Sequence, residues 1–199
     1  VGLTPNDLRS ERIRSHEIGY VGHYRPWQLQ VDAKLFYDQM DHYIGSTEVA
    51  GAYQPRNSGS LEVRGGDLQL DWQPTPAIRL SAQYARVFLS TSPELNLVDK
   101  DVRDSAPRDN FSLLARYDLG QGWTASTGVY HSGRIIGLNG GDPTEAFTRV
   151  DARLARRWTL QGNEVEAAVV GQSLGEDYSE FRPEHRFSRR VYGSLSLAW

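Results

Sequence analysis

The side chains best suited to chemistry lie in one stretch near the end of the chain, residues 176–187, which reads EDYSEFRPEHRF. Arginine binds carboxylates and other oxyanions through two parallel hydrogen bonds, and a tyrosine hydroxyl adds another donor beside it. The stretch therefore predicts contacts to an anionic ligand, such as a metal chelate, from Tyr178, Arg182, His185 and Arg186. In the competing interpretation, which we favour, these charges pair with one another across an ordered loop.

No other pattern points to catalysis or to a bound cofactor. The five histidines lack metal-ligand spacing, there is no cysteine, and neither a nucleophile elbow nor a phosphate-binding loop occurs. Residues 99–104, DKDVRD, are acidic like a calcium loop but lack its glycine and place Arg103 at a ligand position. We therefore expect no enzyme activity, no cofactor and no protein-bound metal, and the net charge of −3 gives no indication of a nucleic-acid partner.

The elements that must position these side chains are β-strands. Apolar and polar residues alternate with a period of two over most of the chain, as in a sheet with one apolar and one polar face. No apolar run approaches the roughly 18–20 residues that a membrane-spanning helix needs. The sequence predicts an all-β, antiparallel up-and-down meander of about nine strands without a helix, at residues 12–22, 28–44, 61–72, 78–91, 111–119, 123–136, 147–158, 164–174 and 188–199.

The connections between these strands alternate in length. Short turns at residues 24–27, 73–77, 120–122 and 161–163 alternate with long loops at 46–60, 92–108, 137–146 and 175–187. Transmembrane β-barrels of the bacterial outer membrane have this arrangement, with the short turns on the periplasmic side. The tryptophans all flank a short turn or end on that side, where they would form an interfacial belt: Trp27, Trp72, Trp123, Trp158 and Trp199.

In such a barrel the apolar faces meet lipid and the polar faces line the lumen. The charged residues predicted for the inner wall are Arg116, Arg153, Arg157 and Arg190 with Asp118, Asp151 and Glu166. We favour an ion-pair lattice among them over contact with a ligand or an enclosed domain. Arg190 on the inner wall and Arg134 beside a long loop nevertheless join the ligand-binding candidates.

Four segments, in order along the chain, resemble the C-terminal barrel portion of TonB-dependent outer-membrane receptors. Residues 8–20, LRSERIRSHEIGY, resemble the family pattern L-x-P-E-x-x-x-S-Y-E-L-G-Y, with Ser10 and His16 in place of Pro and Tyr. The other segments are NSG, VRGGDL and WQPTP within residues 57–76, FTRVDARL at 147–154 and VGQSLGEDY at 170–178. They resemble N-x-G … V-x-G-x-E-L … W-x-P, Y-T-x-L-D-L-R-L and V-x-N-L-x-D-x-x-Y.

The resemblance implies a complete transmembrane β-barrel of about 22 strands, with a plug domain inside it and energy supplied by the TonB complex. Residues 1–199 would be the C-terminal portion of that barrel, without the plug domain and the N-terminal strands. The implied location is the bacterial outer membrane. The implied partners are membrane lipid, the missing strands and plug, the TonB complex through the absent N-terminal part, and the barrel assembly machinery through the C-terminal strand. The implied function is active TonB-dependent uptake of a ligand such as a ferric siderophore or another metal chelate.

Elementary energetics also predicts that nine strands are not a whole barrel. An open sheet in lipid would leave two edges of unpaired backbone groups, at several kcal/mol for each group. The sum exceeds the about 5–15 kcal/mol by which typical domains are stable. Two alternatives stay open at this point: a small self-contained outer-membrane barrel with a structural or passive-pore role, and a soluble β-sheet binding module whose apolar faces are buried by another layer.

Overall fold

The computed structural model describes residues 8–49, 52–98, 101–138, 141–180, 182 and 184–198. Within these ranges nine long strands form one antiparallel sheet, in which each strand pairs with its neighbours in chain order. β1 and β9 are the edges of the sheet and are not paired with each other, so the sheet is open. This architecture confirms the predicted meander. The strands are β1 (Arg12–Tyr24), β2 (Leu29–Asp41), β3 (Leu61–Thr75), β4 (Ile78–Thr91), β5 (Asp109–Gly120), β6 (Trp123–Ser132), β7 (Phe147–Leu160), β8 (Asn163–Gln172) and β9 (Arg190–Ala198).

The strand register separates an apolar outer face from a polar inner face. Directly paired residues of β2 to β7 on the outer face form the row Val31, Leu70, Ala82, Leu113, Val129 and Val150. The adjacent row on the inner face is Asp32, Gln69, Gln83, Ser112, Tyr130 and Arg149. The outer face stays exposed, with Leu35 at 64% and Leu195 at 75% of full accessibility. Because burying each such side chain is worth about 1.5–3 kcal/mol, this face favours an apolar environment.

One end of the sheet, called the short-turn end below, is closed by tight connections. β5 and β6 are joined by Gln121 and Gly122, and β7 and β8 by Gln161 and Gly162. All four residues have positive φ, between 51° and 86°. Positive φ at both central positions is the backbone of a type I′ turn, whose twist matches that of paired strands. The other short connections are a 3₁₀ turn, Arg25–Trp27, and residues 76–77.

The opposite end, called the long-loop end below, carries secondary structure of its own. Three small ladders pair Ile44–Val49 with Ala52–Asn57, Ile135–Ile136 with Pro143–Thr144, and Tyr178–Ser179 with Arg186–Phe187. As a result β2 ends at Asp41 and β6 at Ser132, before the predicted positions 44 and 136. β2 ends where it does because His42 has a φ of 60°, a left-handed conformation that interrupts an extended strand.

The prediction of no helix was wrong for the loop between β4 and β5. Pro93–Val98 forms a short α-helix, and Val102–Asp104 forms a 3₁₀ turn. Proline suits the first helical position because it has no N–H to leave unsatisfied, and the Ser92 hydroxyl oxygen accepts a hydrogen bond from the Leu95 N–H at 3.4 Å. None of the helices in the described ranges is long and apolar enough to cross a membrane.

A cluster of buried apolar side chains lies at the long-loop end, apart from the buried residues Ala155, Val165 and Ala168 within the sheet. Leu95 of the short helix is fully buried, while Leu61 at the start of β3 and Val102 are 8% and 3% exposed. The partly buried side chains of Met40, Tyr43 and Val63 pack around this cluster. The helix is therefore held by contacts with the ends of β2 and β3, which are distant in sequence.

Candidate functional site

A cavity of about 690 Å³ lies at the long-loop end, between the loops that follow β6 and β8. This volume is within the range of about 300–1,000 Å³ that is usual for small-molecule sites. Its lining comes from β6, β7 and both loops. The lining includes His131, Thr144, Glu145, Phe147, Thr148, Glu176, Asp177, Tyr178 and Arg186.

Stacked aromatic rings form one wall of this cavity. Tyr178 is 7% exposed and packs between Phe147, with ring centroids 4.4 Å apart, and Phe187, with centroids 5.3 Å apart. The ladder of Tyr178–Ser179 with Arg186–Phe187 aligns two of these rings, because directly paired residues point to the same face. Phe147 begins β7 and so anchors the wall to the sheet. The wall is thus rigid and apolar, with the tyrosine hydroxyl as its polar tip.

The polar groups of the cavity include one buried oxygen with no hydrogen-bond partner in the described part of the chain, the Thr144 Oγ1. Such a group costs about 1–3 kcal/mol unless something pairs with it, so it is suited to a bound molecule. His131 Nδ1 and Thr148 Oγ1 are already 2.9 Å apart and hydrogen-bonded to each other. The cavity therefore contains one polar group without a partner among the described residues, the Thr144 hydroxyl. The side chains of His131 and Thr148 already bind each other.

The charges around the cavity are mixed. Three carboxylates, those of Glu145, Glu176 and Asp177, line it together with the single guanidinium of Arg186. Arg186 lies 4.0 Å from the Asp177 carboxylate, and Arg134 lies 3.3 Å from the Glu145 carboxylate. Within the described ranges, no three carboxylate or imidazole groups are close enough together to hold a metal ion. The mixed charges suit a molecule that has both acidic and basic groups.

The loop after β8 is attached to the sheet directly below the cavity. Asp151 on the inner face of β7 accepts a hydrogen bond from the Ser173 backbone N–H at 3.0 Å and forms an ion pair with Arg149. The Arg149 guanidinium also lies over the Tyr130 ring, 5.2 Å from its centroid. Because Asp151 joins the strand to the first residue of the loop, it positions the segment that carries Tyr178.

The structure brings together some of the predicted ligand-binding residues and separates others. Tyr178 and Arg186 line the cavity, and Arg134 reaches its edge through Glu145. Arg182 and His185 are exposed and are not part of the lining. Arg190 pairs with Gln172 across β8 and β9, also outside the lining. A role in ligand binding for these six residues stays a prediction.

Sequence reasoning missed several cavity residues. His131 and Thr148 are directly paired across β6 and β7, but this register cannot be read from alternation alone. Thr144 belongs to a loop with no distinctive pattern, and Phe147 was predicted only as the first residue of a strand. The one usable signal was the aromatic residue at each end of the last long loop, Tyr178 and Phe187, which could have suggested a hairpin closed by stacked rings.

The inner face confirms part of the expected ion-pair lattice. Glu166 on β8 accepts from Arg153 at 2.5 Å and from Arg157 at 3.2 Å, and both arginines are on β7. Arg116 has no ion pair within 4 Å in the described residues, and Asp118 instead accepts from the Gly120 backbone N–H at 2.9 Å. Among the residues predicted for the lattice, those that pair with one another are on β7 and β8, and a separate inner-face group on β1 to β3 pairs Lys34 with Glu17 and Asp67.

The predicted interfacial tryptophans share one end of the molecule. Trp27, Trp72, Trp123 and Trp158 all lie at the short-turn end, and Trp199 lies outside the described residues. All four described side chains are exposed, from 37% for Trp123 and Trp158 to 66% for Trp27. Their contact with a membrane interface stays a prediction, which this placement supports.

A family model described as "TonB dependent receptor-like, beta-barrel" matches residues 1–169 of the chain. The chain belongs to this family. Its members include receptors of the Gram-negative outer membrane, so the predicted family, barrel fold and location are confirmed. The open sheet is accordingly a segment of a barrel wall, with its outer face toward lipid and its inner face toward the lumen.

Among curated proteins, the chain is similar to the metal-pseudopaline receptor CntO of Pseudomonas aeruginosa, with 22% identity over 194 residues. The match covers 94% of this chain but only 26% of that receptor. The chain therefore spans about a quarter of the length of this relative.

Solved structures agree on the fold. The ferric-catecholate import receptor Fiu of E. coli superposes with a TM-score of 0.71 at 18% identity, covering 98% of this chain and 28% of Fiu. The receptor FpvA of P. aeruginosa bound to a pyoverdine–iron complex gives a TM-score of 0.72 at 16% identity, covering 96% of this chain and 27% of FpvA. At these identities the likeness concerns the architecture alone.

Proposed function

We propose that the protein containing this chain imports a metal chelate across the outer membrane with energy from the TonB complex. In this proposal residues 1–199 form the C-terminal part of the barrel wall and contribute one ligand-contact surface. The observation that carries it is the aromatic-walled cavity at the long-loop end, which is the side from which a ligand would arrive. The names of similar proteins, which refer to metal-pseudopaline, ferric catecholates and a pyoverdine–iron complex, support a chelate as the class of ligand.

Each group in the cavity has a distinct part in this proposal. Phe147 and the edge of the Tyr178 ring pack against the organic frame of the chelate, and the Thr144 hydroxyl supplies a hydrogen bond that no described residue of the chain satisfies. Arg186 and Arg134 bind acidic groups of the chelate, and the carboxylates beside them bind its basic groups. The metal stays bound to its chelator, because the protein provides no ligand cluster of its own among the described residues.

Transport in this proposal involves no covalent step. The barrel wall stays fixed while an enclosed plug domain, supplied by the rest of the protein, moves to release the ligand inward. The ion pairs of Glu166 with Arg153 and Arg157 cross-link β7 and β8 and so stiffen the wall beside the lumen. The last strand, β9, is the segment that we expect the barrel assembly machinery to recognise.

A transport assay tests the proposal directly. Cells that lack the full-length gene, and complemented cells, are given radiolabelled ferric catecholate, ferric hydroxamate, and nickel or zinc complexed with an aminocarboxylate chelator. We expect complemented cells to accumulate at least one of these complexes, and accumulation to stop when the TonB gene is deleted. Accumulation that continues without TonB would instead support the passive-pore alternative.

The contribution of this chain is tested in the same assay with two matched variants. Replacing Tyr178 and Arg186 together by alanine removes the apolar wall and the guanidinium of the cavity, and we expect the half-saturating concentration to rise about tenfold or more. Arg189→Gln changes an exposed charge just after the same loop, at a residue that does not line the cavity and is not a ligand-binding candidate, and should leave uptake unchanged. Equal effects of both variants would show that the loop acts only through its overall charge.

A further inference from the structure

The two loops that border the cavity at the long-loop end hold the excess acidic charge of the chain. Residues 137–146 contain two carboxylates and no basic residue, and residues 175–187 contain four carboxylates and two arginines. The whole chain has 25 acidic and 22 basic residues, so the part outside these two loops is nearly neutral. A cleft lined by one sign of charge attracts ions of the other sign, so the entrance to this cavity attracts cations.

The glutamates of the cavity lie next to its aromatic wall. Glu145 precedes Phe147 by two residues, and Glu176 precedes Tyr178 by two residues. Because the rings of Phe147 and Tyr178 are stacked, with centroids 4.4 Å apart, each loop contributes one glutamate that is close in sequence to the same aromatic wall. Aromatic rings attract an ammonium ion, and a neighbouring carboxylate adds to that attraction.

Glu176 is the carboxylate of the lining whose charge no arginine offsets. Arg134 lies 3.3 Å from the Glu145 carboxylate, and Arg186 lies 4.0 Å from the Asp177 carboxylate. The Glu176 side chain has no ion pair and no hydrogen bond to another residue of the described ranges. When Arg134 is counted with the lining, one negative charge is therefore left over, and it belongs to Glu176.

The Thr144 hydroxyl is a second, independent feature that favours a bound molecule with hydrogen-bond donors. Thr144 adjoins Glu145 and is only 7% exposed, and its Oγ1 has no hydrogen-bond partner among the described residues. This oxygen can accept a hydrogen bond, and a primary ammonium group has three N–H donors. Since no three metal-ligating side chains of the described ranges lie close enough together to hold a bare metal ion, the cation that fits this cavity is an organic one.

We infer that the ligand of this cavity is a metal chelate with a free ammonium group and no net negative charge, and that Glu176 selects it. This selectivity rests on the proposed import of a metal chelate and narrows the chelate to one class. A ferric trihydroxamate with a pendant amine belongs to that class, because the three hydroxamate anions cancel the charge of the ferric ion and the ammonium group remains. A ferric triscatecholate has a net negative charge, which the Glu176 carboxylate repels.

Isothermal titration calorimetry on the purified full-length receptor tests this selectivity. The two probes are a ferric trihydroxamate with a free primary amine and the same chelate with that amine acetylated, which removes the ammonium charge and leaves the metal site unchanged. We expect the wild type to bind the amine form about tenfold more tightly, because hydrogen bonds to charged groups contribute more than neutral ones. Glu176→Gln removes the charge but nearly keeps the side-chain shape, and should bring the two affinities within about threefold of each other.

Glu184→Gln is the matched control for this variant. It removes a carboxylate from the same loop, at an exposed residue outside the cavity lining. Its preference for the amine form should stay as in the wild type. A loss of preference equal to that of Glu176→Gln would show that the overall charge of the loop is responsible, and would overturn the role of Glu176.

The remaining outcomes separate this selectivity from the proposed function. The selectivity is overturned if the wild type binds both hydroxamate probes equally, if it binds a ferric triscatecholate more tightly, or if the amine form fails to bind a receptor that imports another chelate. Each of these results leaves the import of a metal chelate standing. If complemented cells accumulate none of the complexes in the transport assay, the proposed function itself fails.

Discussion

At the short-turn end two hairpins close with Gln121-Gly122 and Gln161-Gly162, whereas the connections at the long-loop end contain ladders, a helix and a ligand-sized cavity. The tight turns are determined by backbone conformation at two residues. The long loops are determined by side chains that meet from distant parts of the chain, as Leu95 meets Leu61. The two ends therefore have different roles. The short-turn end tolerates little change in backbone conformation, whereas the long-loop end holds the groups that distinguish one ligand from another.

The largest effect that we predict concerns a turn glycine. Gly122 has a φ of 79°, and a Cβ at this position would overlap the Arg157 backbone, whose N–H donates to the Gly122 carbonyl oxygen at 2.8 Å. Gly122→Ala should therefore cost about 3–5 kcal/mol, from backbone strain together with a clash that only strand movement can relieve. Urea unfolding of the full-length receptor in lipid vesicles measures this cost.

The matched control is the glycine of the other hairpin. Gly162 has a φ of 86°, but a Cβ there would meet no heavy atom within 4 Å. Gly162→Ala should lose only the conformational advantage of glycine, about 1–2 kcal/mol. Equal losses for the two variants would mean that the close approach between β7 and the β5–β6 turn has no energetic importance.

The second prediction concerns the packing of the long-loop end. Leu95→Ala removes the fully buried side chain of the short helix and should cost about 2–3 kcal/mol. We expect the loss to be local, since this cluster lies at the long-loop end of the sheet and involves only the ends of β2 and β3. Hydrogen exchange should become faster in residues 93–98 and 102–104 and stay unchanged in the middle of β3 and β4. Faster exchange throughout those strands would contradict the separation between the two ends.

Leu138→Ala is the control for this variant. Leu138 is a long-loop leucine that is 47% exposed, so its removal opens little or no cavity. Exchange in residues 93–104 should stay as in the wild type. An equal change in both variants would indicate that the loops respond to lost hydrophobicity in general rather than to loss of this packed cluster.

Much of the sheet could be predicted from sequence because its signals are local. Alternation fixes which residues share a face, so Leu70 and Leu113 were assignable to the outer face without knowledge of the pairing. The turns of Gln121-Gly122 and Gln161-Gly162 were visible as glycine-containing breaks between alternating segments. What alternation could not supply is the register, and with it the pairing of His131 and Thr148 beside the cavity.

The long-loop end was less predictable for the same physical reason. Pro93–Val98 is too short for a helical period, and what holds it is the burial of Leu95 among residues from β2 and β3. Composition alone indicated Tyr178 and Arg186 as candidates, and both line the cavity. The same composition also indicated Arg182 and His185, which are outside the lining. Side-chain type alone does not show where a loop turns, so it could not separate the two pairs.

The smallest effect that we predict concerns a hydrogen bond at the short-turn end. The Trp72 Nε1–H donates a hydrogen bond to the Trp27 carbonyl oxygen at 3.1 Å, which ties the 3₁₀ turn after β1 to β3. Trp72→Phe keeps an aromatic ring at the membrane interface but removes this donor. We expect a loss of about 0.5–1 kcal/mol, seen as faster hydrogen exchange in residues 24–29 of the full-length receptor.

Trp158→Phe is the control that separates two roles of an indole ring at this end, its hydrogen bond to the turn and its contact with the membrane interface. Trp158 also lies at the short-turn end with 37% of its surface exposed, but its indole makes no hydrogen bond to the described part of the chain. If the indole of Trp72 acts through the turn, only Trp72→Phe will speed exchange in residues 24–29. If both variants lose the same stability, the rings contribute only as members of an interfacial belt, and the tight backbone of this end does not depend on its side chains.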